Sequence, residues 1–139
     1  MIFTPDALLR LVAQHAAAQR IPVPVDRAMM KEVVAEAAQF AAGHPDDEPA
    51  ALYYACTRRA RLFGNIGTAF FDDLLVAQAE AVGLRLDAGA LDIVLLRMKI
   101  AKRAVSWQDV RDILAGWLRP SGLAPKPQPP AKRPSHGRR

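Results

Sequence analysis

Apolar positions recur every three to four residues through most of residues 1–118, a spacing that predicts helices joined by turns rather than strands. Thr4-Pro5-Asp6 supplies a capping hydroxyl, a proline at the first helical position and an acid in the first turn. Leu8, Leu11, Val12, His15 and Ala16 then share one face of a helix ending near Arg20. Ile21-Pro22-Val23-Pro24-Val25 cannot extend it, because each proline removes an N–H donor and restrains its predecessor. Asp26 caps a second helix with Met30, Val33, Val34, Ala37 and Ala41 inside, and Gly43 stops it. A third runs from about Pro49 to Phe63, with Leu52, Ala55, Cys56, Arg59, Leu62 and Phe63 on one face.

A fourth helix opens at Thr68 and carries Phe70, Phe71, Leu74, Leu75, Gln78 and Val82 before Gly83 ends it. Its dense apolar start predicts the central, most buried helix. Leu84-Arg85-Leu86 alternates briefly, and Asp87 starts a fifth helix with Leu91, Val94, Leu95, Met98 and Ala101 or Lys102 as its core stripe. Ser106-Trp107-Gln108-Asp109 has the form of a capping box with Asp in place of Glu. The last helix places Trp107, Val110, Ile113, Leu114, Trp117 and Leu118 on a stripe, and Arg119-Pro120 closes it. The expected fold class is all-α, a compact bundle of about six helices.

Between the third and fourth helices, Gly64-Asn65-Ile66-Gly67 is a tight turn, with Thr68 as cap of the helix that follows. Such a turn presents backbone N–H groups to an anion, and it also serves as an ordinary helix-to-helix connection. Arg59, one turn earlier, falls on the core side, an unusual place for a charge: it either makes a buried contact with carbonyls or an acid, the favoured reading, or snorkels outward. Arg58 and Arg61 are expected on the solvated face.

Composition changes the picture in one respect. The chain of 139 residues has 19 basic and 14 acidic residues. Residues 1–120 hold 14 of each and balance, so the whole positive excess lies in Lys126, Lys132, Arg133, Arg138 and Arg139. Residues 121–139 are proline-rich, with little to bury, and are expected to be a disordered, polyproline-like tail beside a helical domain of residues 1–120. The balanced body gives no compositional reason for nucleic-acid binding. No apolar run reaches the roughly 18 residues that would cross a bilayer, and the N-terminus lacks the order of a secretory signal. A lone cysteine, Cys56, forms no internal disulfide and reads as a buried, inert thiol. These features fit a cytoplasmic protein.

Metal chemistry finds little support. The histidines at 15, 44 and 136 lack ligand spacing, and the acids of His44-Pro45-Asp46-Asp47-Glu48 suit the positive end of a helix dipole. Asp72 and Asp73 are neighbours and diverge by about 100° on a helix.

Six helices with a polar turn between the third and fourth resemble the Fic/Doc (Fido) domain family, most nearly its short Doc-type members. The resemblance covers roughly residues 4–118. It is carried by Asp47-Glu48-Pro49-Ala50-Ala51-Leu52-Tyr53, by Gly64-Asn65 with Thr68-Ala69, and by Gly83-Leu84-Arg85-Leu86-Asp87 with the helices that follow. The family signature runs His-Pro-Phe-x-acid-Gly-Asn-Lys/Gly-Arg. It implies transfer of AMP or phosphate from ATP: the histidine acts as general base, the acid holds magnesium, and Gly-Asn with the arginine cradles phosphate. Anchored on Gly64-Asn65, the histidine position is Arg59, permanently charged and unable to act as a base. Ala60 and Arg61 replace Pro and Phe. Phe63 stands at the acid position, where magnesium needs oxygen, and Ile66 and Gly67 replace the basic pair. Gly64, Asn65 and Thr68 survive. The family's substrate-aligning hairpin is cut down to Gly43–Asp47.

The expectation is a catalytically degenerate Fic/Doc-like interaction module in a toxin–antitoxin or plasmid-maintenance setting. It would need no cofactor, and would pair with an antitoxin-like helix or with itself. The alternative is an active transferase using ATP and magnesium, with Arg59 and Arg61 on phosphate, Asn65 and the Gly64–Gly67 backbone as anion nest, and Asp72 or Asp73 recruiting metal. A third reading has the tail residues Lys126, Lys132, Arg133, Arg138 and Arg139 contact nucleic acid or another polyanion.

Overall fold

The computed structural model describes residues 3–122. They form an all-α fold of six helices: α1 (Pro5–Gln19), α2 (Arg27–Ala41), α3 (Glu48–Arg58), α4 (Ala69–Ala81), α5 (Ala90–Ala101) and α6 (Trp107–Trp117). Two three-residue strands, β1 (Leu84–Leu86) and β2 (Leu118–Pro120), pair antiparallel. None of the helices described is long and apolar enough to cross a membrane. The basic tail from residue 123 onward lies outside the described residues.

The starts of α1, α2 and α6 follow from side chains that satisfy otherwise orphaned N–H groups. Thr4 Oγ1 accepts from the Ala7 N–H at 3.1 Å, and Asp26 Oδ1 from the Met29 N–H at 2.9 Å. Ser106 and Asp109 complete a reciprocal capping box, each contact at 3.2 Å. Residues 21–25 connect α1 to α2 without helix or strand, as their prolines lead one to expect. Helix α2 ends on Ala42 in the left-handed region, at φ 52°, one residue before the glycine expected to stop it.

The most buried helix is α3, not α4. Every residue from Glu48 to Thr57 is buried, and α3 packs on α2, α4, α5 and α6. Its small side chains, Ala50, Ala51, Ala55 and Cys56, let four helices approach one axis. Large apolar side chains, dense at the start of α4, do not mark such a crossing point. Helix α4 lies beside it and contributes Phe70, Phe71, Leu74 and Leu75 to the core. Helix α3 also stops at Arg58, short of the expected Phe63, and Ala60–Phe63 tightens into a 3-10 turn.

Two further boundaries differ from expectation. Helix α5 begins at Ala90 after a Gly89 cap, and Asp87 instead binds the strand pair, its N–H donating to the Trp117 carbonyl at 2.7 Å. Arg85 and Arg119 stand directly opposite each other, and the Asp87 carboxylate lies 3.8 Å from each, offsetting a like-charge pair that destabilises a ladder. Order also continues into Ser121, whose N–H and hydroxyl both donate to the Gly83 carbonyl at 3.0 Å. Ser121, expected in the tail, is thus bonded back to the residue before β1.

The core stripe of α5 is the largest correction. Leu96 and Ile100 are its buried residues. Leu91 is 69%, Leu95 46%, Met98 46% and Val94 37% exposed. Both stripes satisfy helical spacing; the face that turns inward buries Leu96 and Ile100 and brings Arg97 onto Asp72 of α4 at 2.7 Å.

Candidate functional site

The turn after α3 is built largely from hydrophobic anchoring. Phe63 is fully buried, its ring centroid 5.1 Å from Phe70 and 5.6 Å from Phe71. Ile66 is buried as well. Gly64 adopts φ 55°, ψ −128°, a conformation closed to side chains that carry a Cβ, and Gly67 has φ 90°. Two of the turn's N–H groups are engaged inside it: Gly64 donates to the Arg61 carbonyl at 3.3 Å and Ile66 to the Phe63 carbonyl at 3.1 Å. Those two donors do not face outward as an anion nest requires. Asn65 is exposed. Thr68 precedes α4 with helical φ and ψ and no side-chain cap; its carbonyl, not its hydroxyl, accepts from the helix, which corrects the capping role expected of it.

Of the partners open to it, carbonyls or an acid, Arg59 takes an acid, and its side chain stays one-third exposed. Its Nε and Nη2 donate to the two carboxylate oxygens of Glu36 on α2, each at 3.3 Å. Arg58, expected on a solvated face, instead lies 5.2 Å above the Tyr54 ring and 5.7 Å from Phe40, with a longer 3.6 Å approach to Glu36. A guanidinium over an aromatic face is held by the ring quadrupole while its N–H rim stays available. Arg61 is exposed, as expected.

Beside these arginines is a half-open cleft of ≈ 880 Å³. Arg58, Arg59 and Arg61 form one wall, Lys102 and Arg103 at the end of α5 the other, and Glu36 is the single acid among its lining residues. Gly64, Asn65, Gly67 and Thr68 do not line it. The sequence stretch Arg58–Arg61 flagged one wall; the other wall, some forty residues later, had no local signal.

The two aspartates of α4 go separate ways. Asp72 accepts from Arg97, and burial raises its carboxyl above its ordinary value, the guanidinium offsetting only part of that effect. Asp73 lies 2.9 Å from His15 Nε2, whose ring stands edge-on to Phe70. No cluster of three or more His, Cys, Asp or Glu residues suited to a metal occurs among the described residues. On α3, Tyr53 is buried. Arg97 and Thr57 lie near its hydroxyl, yet neither meets it in hydrogen-bond geometry. Burial pushes this phenol up to about 12, against the pull of Arg97. Burial likewise raises the Cys56 thiol well above its ordinary range, so its inert reading stands on its surroundings.

Comparison with protein-family models, with curated proteins and with solved structures finds no match to this chain. The Fic/Doc resemblance therefore rests on its own residues.

Proposed function

We propose that this chain is a catalytically silent, Fic/Doc-like helical module that works by association with protein, in a toxin–antitoxin or plasmid-maintenance setting, and that α5 is its docking face. The observation that carries this reading is the uncovered row Leu91, Val94, Leu95 and Met98. Scattered exposed leucines mean little, but four large apolar side chains at i, i+3, i+4 and i+7 form one seam of the kind a second helix covers. The silence of the motif is supported by its replacements: Phe63 and Ile66 are core residues, and Arg59 is tied to Glu36.

The occupant the seam fits is α5 of a second copy, antiparallel. Asp92 and Lys99 are both exposed, seven residues apart on one flank. Antiparallel pairing sets the same flank of each helix against the other, so Asp92 of each copy approaches Lys99 of its mate; a parallel pair forgoes this match. Burying side chains that are already about half covered contributes roughly 1 kcal/mol each. Set against lost rotational and translational freedom, this gives a weak dimer with Kd on the order of 10–100 µM. Sedimentation velocity across that range should show a monomer–dimer equilibrium, and Leu95→Asp should leave monomer only. A wild-type chain that stays monomeric at several hundred micromolar contradicts the proposal.

A further inference from the structure

The cleft between the 3-10 turn after α3 and the end of α5 shares no lining residue with the docking seam or the Gly64-Asn65 turn. We infer that it is a binding site for an oligophosphate anion, either an inorganic chain or the phosphate tail of a nucleotide. Five cationic residues and one acid line it. Glu36 is already shared by Arg58 and Arg59, which leaves the two arginines incompletely neutralised. Arg61, Lys102 and Arg103 are exposed at the cleft. Like charges gathered on a concave wall repel one another, and an anion of dense charge relieves that repulsion. Guanidinium forks match phosphate oxygens in pairs.

The end of α5 is shaped toward this cleft. The Ala104 N–H donates to the Lys99 carbonyl at 2.8 Å and the Arg103 N–H to the Ile100 carbonyl at 3.0 Å. This pair of bonds places Arg103 in the left-handed region, at φ 57°, where glycine is the easy residue. The end of α1 makes the same pair of bonds, Arg20 N–H to the Ala17 carbonyl and Ile21 N–H to the Ala16 carbonyl, so the turn itself is structural; at α5 the left-handed position lines the cleft.

Oligophosphate suits the lining better than an acidic peptide does. Apart from its charges the lining offers only Ala60, Leu62 and Ala101, too little to anchor peptide side chains. The nearby rings of Phe40 and Tyr54 are covered by Arg58, so a nucleobase has no open aromatic face to stack on. The phosphates carry the recognition, and no magnesium is needed where arginine and lysine supply the charge.

The test is calorimetric titration of the full chain with tripolyphosphate and, separately, with ATP, both in EDTA at low salt. Tripolyphosphate should bind, and orthophosphate far more weakly. ATP binding equally well marks phosphates alone as the ligand; ATP binding more tightly marks a nucleotide. Arg103→Gly removes one charge while easing the backbone, so affinity should fall about tenfold with the melting temperature unchanged or raised. Asn65→Ala should leave affinity intact. Absence of tripolyphosphate binding by the folded wild type overturns the inference. So does an affinity indifferent to Arg103→Gly, or ATP binding that requires both magnesium and Asn65, which would put the anion at the turn.

Discussion

At the scale of single residues, the polar groups on and beside α3 set measurable properties. Tyr53 holds a buried hydroxyl without a hydrogen bond, and an unmet hydroxyl in the interior costs on the order of 1 kcal/mol. Tyr53→Phe should therefore raise stability at pH 7 by about 1 kcal/mol in urea denaturation; a loss of that size would mean the hydroxyl has a partner. The same burial gives an alkaline signature. Below about pH 10 tyrosine is neutral in both states. Between 10 and about 12 the unfolded chain releases the proton that folded Tyr53 retains, so stability falls with rising pH by about 1.4 kcal/mol per unit. Cys56, raised in the same direction, begins this decline near pH 8.5–9. In Tyr53→Phe the decline above pH 10 should be shallower, and an identical slope would exclude Tyr53 as its source. The inward charge at Arg59 was legible as an anomaly in its helical stripe. Glu36, its partner 23 residues earlier, was not, because nothing in local spacing singles it out from other acids on α2.

At the scale of elements, caps and periodicity carried the reading well, and burial carried it less well. The starts of α1, α2 and α6 sit where Thr4, Asp26 and Ser106 put them, since capping is a local contact. Which helix is central, and which face of α5 turns inward, are questions about neighbours. Helix α3 answers the first with small residues, so it should resist enlargement. Ala55→Leu, at a fully buried position, should destabilise by about 1–3 kcal/mol through overpacking. An unchanged unfolding midpoint would mean that α3 has room around it. Helix ends offer the opposite case. Ala42 occupies a left-handed position at φ 52°, and Ala42→Gly should add about 1 kcal/mol by relieving it. Thermal unfolding reads this directly, and a lowered melting temperature would contradict it. The strands β1 and β2 were visible only as the alternation Leu84-Arg85-Leu86; their pairing across more than thirty residues is tertiary.

At the scale of the molecule, the chain combines a closed core with two open features on α5: an apolar seam along its length and a cationic cleft at its end. The motif turn between α3 and α4 anchors Phe63 and Ile66 in the core and engages two of its N–H groups internally, while Gly64, Asn65, Gly67 and Thr68 stay exposed. Sequence pattern brought α5 into view but assigned its seam to the interior, because amphipathic spacing does not say whether the covering surface belongs to the same chain. The central claim is that a second copy covers it, antiparallel. Sedimentation equilibrium on Asp92→Lys and Lys99→Asp, each alone and then mixed, tests it most directly. Each variant alone sets like charges against each other across the seam and should self-associate several-fold more weakly than wild type. The mixture sets Lys against Asp at both ends and should recover dimer at least as well as wild type. Two variants that associate like wild type, with no gain on mixing, would contradict an antiparallel α5 pair.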